Sequence, residues 1–273
     1  MTENGQKPDV LVREDPRDGV RLLRLNRPAR LNALSPDLVV ALHRQLDELA
    51  TDPTCRVVVL TGEGRGFCSG LDLVEHGNHV DTGGPSAQQR MWRQKQIAEL
   101  VTKLRALPQP VVAAVNGPAA GGGFALALAA DVRVASHSAG FASSFVSIGL
   151  SGCDIGVSWL LPRMIGAARA FELLLTGRLV DAAEADRLGL LTRLVADEEL
   201  LPAALDVAGD IAANSPMGVR MTKDVMWGQL EVGSLSAGLA LENATQVATT
   251  FSSDHREALD AFLARRPAVF GDH

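Results

Sequence analysis

Cysteine is scarce in this 273-residue chain: Cys55, Cys68 and Cys153 are an odd number at unrelated spacings. That excludes a disulfide framework and a paired CxxC metal site, and the expected setting is a reducing cytoplasm. Long apolar runs are missing too. The longest, such as Pro110–Val115 and Phe124–Ala130, fall far short of the ~20 residues that span a bilayer. Met1–Pro8 is polar and lacks the apolar core of a secretory signal. Basic charge is not in excess: 26 Lys and Arg stand against 32 Asp and Glu, a net charge of −6. That balance argues against nucleic acid as the main partner, although a polyanionic small ligand could still meet a local basic patch. His43 and His137 have no partner at metal-ligand spacing, so no metal site is expected. A soluble chain without membrane insertion remains, 47% hydrophobic and long enough to bury a core without a staple.

Val20–Asn26, Arg56–Leu60, Val111–Val115 and Val132–Ala135 predict strands. The continuous apolar runs among them suit a sheet covered on both faces. Ser35-Pro36-Asp37 predicts an N-cap with proline at the first helical position, and Leu38, Leu42, Leu46 and Leu49 follow at helical spacing. A second helix is expected over Ala87–Leu107, stopped by Pro108 and Pro110, and a short apolar one over Phe124–Ala130. Asp81–Pro85 reads as a mobile connection. After about Ile155 helices dominate: Val157–Ile165, Ala168–Leu175, Ala182–Leu188, Leu200–Ala213, Val219–Leu230, Leu235–Thr250 and His255–Arg265. Asp181 with Glu184 predicts a capping box for the third of these. One continuous α/β unit with a helical C-terminal region is the economical organisation.

Two glycine-rich loops each follow a buried β-run. Gly62–Gly70 misses GxGxxG because Phe67 replaces the third glycine, and no GK[ST] closes it as a phosphate loop. In Asn116–Gly123, three consecutive glycines open a helix, where each costs about 1 kcal/mol relative to alanine if it lies inside. Such a run serves either tight helix–strand packing or close approach by another group. A helix N-terminus also offers unpaired N–H groups and partial positive charge, which suit an oxygen that becomes negative during reaction.

Phe67-Cys68-Ser69-Gly70-Leu71-Asp72-Leu73 and Asn116-Gly117-Pro118-Ala119-Ala120-Gly121-Gly122-Gly123 resemble the FxxGxDL and NGxAxGGG motifs of the crotonase (enoyl-CoA hydratase/isomerase) superfamily. The segments Leu25–Pro28, Leu31–Ala33, Val57–Gly62, Pro110–Val115, Asp131–Ser136, Leu175–Gly177 and Gly189-Leu190 match in order, so the resemblance covers about Val20 to Phe270. It implies an α/β spiral of ββα units over residues 1–200 and a helical trimerisation region over 201–273. A homotrimer or dimer of trimers is implied, acting on an acyl-CoA thioester. Coenzyme A is then part of the substrate, and no separate prosthetic group is needed. By the same resemblance the N–H groups of Ser69 and Gly122 form an oxyanion hole. Arg30, Leu31 and Ala33 border the CoA nucleotide, and Ser69, Gly70, Leu71 and Asp72 are further CoA-binding positions that the resemblance implies. Asp72 is expected to cap the following segment.

The chain departs from the hydratase pattern at the two glutamates that activate water, where Ala125 and Phe145 stand. Neither moves a proton. Counting back from Leu161-Pro162-Arg163-Met164-Ile165-Gly166, Asp154 resembles the aspartate of dienoyl-CoA isomerases and the nucleophile of chlorobenzoyl-CoA dehalogenases. Its apolar flanks are expected to raise its pKa and suit it to acid/base work. The competing role is a helix N-cap. Trp159 and Phe145 are candidates for an acyl pocket, while Glu75, His76 and His79 are weaker candidates beside the first motif. The expected function is an enoyl-CoA hydratase or isomerase reaction with Asp154 as acid/base. The alternatives are an acyl-CoA hydrolase or dehalogenase with Asp154 as nucleophile, and a non-catalytic acyl-CoA-binding protein.

Overall fold

A computed structural model describes residues 9–75 and 85–271. The chain opens with β1 (Leu11–Arg17), β2 (Val20–Leu25), α1 (Pro36–Ala50), β3 (Val57–Gly62), α2 (Ala87–Ala106), β4 (Val111–Val115) and β5 (Pro118–Ala120). Then follow α3 (Gly122–Ala129), β6 (Val132–Ser136), β7 (Gly140–Ala142), α4 (Val157–Ile165), α5 (Ala167–Thr176), β8 (Val180–Asp181), α6 (Ala182–Arg187) and β9 (Arg193–Val195). It closes with α7 (Leu200–Ala212), α8 (Pro216–Gln229), α9 (Leu235–Thr249) and α10 (Ser253–Leu263).

Six strands form one sheet in the order β1-β2-β3-β4-β6-β9, antiparallel only between β1 and β2. A second sheet, β5-β7-β8, runs beside it, and single bridges at Leu34–Leu71 and Cys68–Ala119 repeat that pattern. A long strand, a short strand and a helix thus recur, as in β4-β5-α3, which is the expected spiral of ββα units. The continuous apolar runs have their explanation in burial on both faces. Leu23, Leu25, Val58, Leu60, Val111 and Ala113 pack with α1, α2 and α3, whereas Val20, Leu22, Val57, Val59, Val112 and Ala114 pack against Leu200, Ala204, Val207 and Ala208 of α7. The expected boundary at residue 200 therefore falls at the start of a helix that covers the sheet.

Ser35 caps α1, its hydroxyl accepting the Leu38 N–H at 3.2 Å. The capping box expected at α6 is only half formed. Asp181 accepts the Glu184 N–H at 2.7 Å, but both Glu184 carboxylate oxygens are taken by Arg178. An arginine with bidentate geometry outcompetes a single backbone N–H for that carboxylate. The Asp81–Pro85 connection, apart from Pro85, lies outside the described residues. No helix among the described residues is long and apolar enough to cross a membrane.

Candidate active site

The two glycine loops leave the C-terminal ends of neighbouring parallel strands, β3 and β4, where open α/β sheets bind ligands. They are stitched together by backbone. Phe67 and Cys68 N–H both donate to the Pro118 carbonyl at 3.2 and 3.1 Å, and the Ala120 N–H returns to the Cys68 carbonyl at 2.9 Å. Two asparagines brace the first loop from outside: Asn116 Nδ2 reaches the Gly64 carbonyl at 2.8 Å, and Asn32 Nδ2 reaches those of Glu63 and Gly66 at 2.9 and 2.7 Å.

Each glycine of the triplet answers a different demand. Gly121 takes φ +50°, which turns the chain from β5 into α3. A Cβ on Gly123 would sit 1.9 Å from the Cys68 carbonyl oxygen, so the helix touches the first loop only because no side chain stands there. A Cβ on Gly122 would meet Leu34 Cδ1 at 2.8 Å, in the cavity described below. Tight packing, one of the two purposes open from sequence, operates at Gly123, while Gly122 borders the cavity.

Gly122 is the first residue of α3, and its N–H finds no acceptor among the described residues. Ser69 differs from expectation: its N–H already donates to the Leu31 carbonyl at 2.9 Å. That carbonyl is delivered by Leu31 and Asn32, both left-handed at φ +48° and +56°, a conformation that non-glycine residues seldom adopt. An arriving oxygen would therefore have to share the Ser69 N–H or displace Leu31. Ser69 Oγ contacts the Arg30 carbonyl at 3.3 Å, so the Arg30–Leu31 turn does border the first loop. Arg30 is exposed on the turn, whereas the Ala33 side chain is buried.

Between the loops lies a cavity of about 220 Å³ lined by Ser69, Gly70, Leu71, Gly122, Phe145 and Asp154, with Leu34, Leu73, Gln94, Ile97, Ser144, Ile148, Leu150 and others around them. Asp154 is the one ionisable side chain in that lining among the described residues. Burial pushes its carboxyl above the ordinary aspartate value, against the hydrogen bonds from Ile155 and Gln94 that lower it. It does not cap a helix: Gly156 occupies the N-cap of α4, with no side-chain bond. Instead, Asp154 Oδ1 accepts the Ile155 N–H at 2.8 Å and a bond from Gln94. Ile155 is itself strained, a β-branched residue at φ +36°, a feature that clusters at functional sites. Larger cavities open around α8, including one of about 810 Å³, but neither glycine loop borders them.

Asp72 holds the loop, as expected of a cap. Its carboxylate accepts the Val74 and Glu75 N–H groups at 3.2 and 3.1 Å and pairs with Arg27 at 2.9 Å. Burial opposes ionisation, yet these three donors together keep it below the ordinary carboxylate range. Glu75 is drawn into the same Arg27 pair, while His76 and His79 lie outside the described residues. Cys68 is fully buried, and desolvation pushes its thiol up to about 12, which makes it a packing residue. Ala125 is buried in α3. Trp159 is not in the cavity: it is stacked between the guanidinium groups of Arg105 and Arg163, at 4.7 and 3.9 Å from its ring centre.

A spiral of ββα units with paired glycine loops over a small, largely apolar cavity defines the crotonase class. Residues 15–273 match the family model described as enoyl-CoA hydratase/isomerase. The chain is 42% identical over 266 residues to a probable enoyl-CoA hydratase, echA12, of Mycobacterium leprae, covering 97% of this chain and 90% of the relative. It is 39% identical over 252 residues to 1,2-epoxyphenylacetyl-CoA isomerase of Escherichia coli, covering 92% and 95%. The crystal structure of a probable enoyl-CoA hydratase/isomerase from Mycobacterium abscessus superimposes with a TM-score of 0.87 at 38% identity, covering 96% and 98%. The chain belongs to the enoyl-CoA hydratase/isomerase family of the crotonase superfamily and is an acyl-CoA enzyme of that type.

Proposed function

We propose that this enzyme shifts a proton within an unsaturated acyl-CoA, as a double-bond isomerase. Asp154 removes the proton from one carbon and returns it to another, and backbone N–H groups hold the thioester enolate between the two steps. One observation carries this reading: Asp154 is the single ionisable group lining the cavity among the described residues. Isomerisation needs one group that alternates between base and acid, whereas hydration by the glutamate pair needs two. General acid–base groups contribute roughly 10²–10⁴-fold each, so the inert Ala125 and Phe145 weigh against that hydration. Gly122 is the principal oxyanion donor, with the Ser69 N–H shared between Leu31 and the substrate. The Arg30–Ala33 turn borders the CoA moiety, Gly70 and Leu71 shape the thioester end, and Asp72 holds the loop that carries them. No prosthetic group takes part.

The test is an absorbance assay at the conjugated thioester band with trans-3-hexenoyl-CoA and substoichiometric protein. Rising absorbance is expected, as the double bond moves into conjugation. No change, together with stoichiometric binding of the thioester, would make the chain an acyl-CoA-binding protein and sink the proposal.

We propose further that the enzyme works as a homotrimer or dimer of trimers, with 201–273 contributing to assembly. Large apolar side chains left open on α5 and α10, Phe171, Leu175, Phe262 and Leu263 at 66–81% exposure, support an associating surface. Light scattering at micromolar concentration is expected to give a multiple of three protomers. A stable monomer with full activity would refute it.

A further inference from the structure

Gln94 stands out because it reaches Asp154 from 60 residues away in sequence. It lies on α2 one turn before Ile97, and Ile97 begins the buried stripe of that helix with Leu100, Val101 and Leu104. Ile97 and Gln94 both line the cavity, so Gln94, exposed one turn before the docked stripe, is held at the cavity mouth by the docking of α2. Both hydrogen bonds that Asp154 accepts, from Gln94 Nε2 and from the Ile155 N–H, fall on Oδ1. Oδ2 accepts none among the described residues.

We propose that Gln94 is a positioning residue that pins Oδ1 of Asp154 and reserves Oδ2 as the oxygen that exchanges the proton. This rests on the acid/base reading of Asp154 given above. A carboxylate held only by its neighbour's N–H remains free to swing about its side-chain torsions, and a donor fixed on a separate helix removes that freedom. The pairing also survives the proton transfer. When Oδ2 carries the proton, Oδ1 becomes a carbonyl-like oxygen and still accepts from both donors. Glutamine has no proton to lose in the working range, so it supports both states of the aspartate without competing for the proton. Two donors on Oδ1 favour the carboxylate, and burial favours the acid. No other titratable side chain faces Asp154 among the described residues of the elements lining the cavity: the first loop offers Ser69, Leu71 and Leu73, α2 offers Ile97, and the segment before α4 offers Ser144, Phe145 and Ile148.

The experiment compares wild type, Gln94→Met, Gln94→Glu and Asp154→Asn on trans-3-hexenoyl-CoA, measuring kcat and KM against pH. Gln94→Met keeps the length of the side chain and loses the donor. It is expected to lower kcat by about 10-fold or more, the worth of a hydrogen bond to a charged group, with KM changed by less than about threefold. The acid limb of the kcat profile should move to higher pH, because the carboxylate has lost a stabilising donor. Gln94→Glu should move it further, since a like charge now faces Asp154. A merely structural role would alter thermal stability and leave the limb where it is. If Asp154→Asn is inactive while Gln94→Met keeps the wild-type kcat and acid limb, the positioning role is overturned and the role of Asp154 stands. If Asp154→Asn itself keeps normal turnover, the acid/base reading falls, and this inference with it.

Discussion

Asp154→Asn is expected to lower turnover by roughly 10²–10⁴-fold, the usual contribution of a general acid–base group, while acyl-CoA binding persists. Asparagine preserves the volume of the side chain, and its Oδ1 can still accept from Gln94 and the Ile155 N–H. What it loses is the oxygen proposed to gain and release the proton. Because Asp154 sits at the N-terminal approach to α4 without capping it, the substitution leaves the helix start unchanged. Isothermal titration with a saturated acyl-CoA measures binding separately from turnover. Near-normal turnover in the variant would reduce Asp154 to a loop-bracing residue. Radiolabelled acyl-CoA quenched on the wild type distinguishes the remaining roles: a covalent ester would make Asp154 a nucleophile, and its absence agrees with a base.

The pH profile follows from the same burial. If the carboxylate of Asp154 is the base, as proposed, activity is full above the Asp154 pKa and is lost as pH falls through it. Since burial raises that pKa, the acid limb should lie above the range of an ordinary exposed aspartate. In Asp154→Asn the residual rate should show no such limb.

Much of this was legible in the chain itself, for identifiable reasons. Val57–Gly62 and Val111–Val115 are buried on both faces, an environment that calls for near-continuous apolar runs instead of alternation. Helix α4 begins and ends where its apolar periodicity does, between Gly156 and Gly166. Strand β1 escaped notice because Glu14, Asp15, Pro16 and Arg17 break any apolar pattern. It is an edge strand, its pairing supplied by β2 alone and its side chains largely exposed. The two- and three-residue strands of the second sheet carry too few positions to show a period.

The site divides in the same way. The glycine triplet was legible because close approach leaves its mark on residue type. Gln94 was not: an amide on an exposed helical turn has no local signature, and its value comes entirely from what the fold sets opposite it. The engaged Ser69 N–H was also hidden, since it depends on left-handed backbone at Leu31 as well as Asn32, and leucine, unlike asparagine, gives no sign of that conformation.

That engaged N–H sharpens the second large prediction. If Ser69 must share its proton with Leu31, the oxyanion rests chiefly on Gly122, and Gly122→Pro should cost about 10²–10³-fold in turnover, the measured order for one oxyanion donor. Proline is tolerated at the first position of a helix because the N–H it lacks has no intrahelical partner there. Gly122 is that position of α3, so the fold should survive while the donor disappears. The proline ring also fills space, because any Cβ here lies 2.8 Å from Leu34 Cδ1 and 3.4 Å from Ile155 Cδ1. Gly122→Ala separates the two effects. It adds the Cβ but keeps the N–H, and the atoms it meets are the ends of flexible side chains that can move aside. Alanine should therefore lose much less turnover than proline, with KM rising more than kcat falls. Equal losses in both variants would mean that space at Gly122, not its N–H, limits the enzyme. A proline variant that folds and turns over at the wild-type rate would remove Gly122 from the oxyanion hole and leave Ser69, freed from Leu31, as the donor to test next.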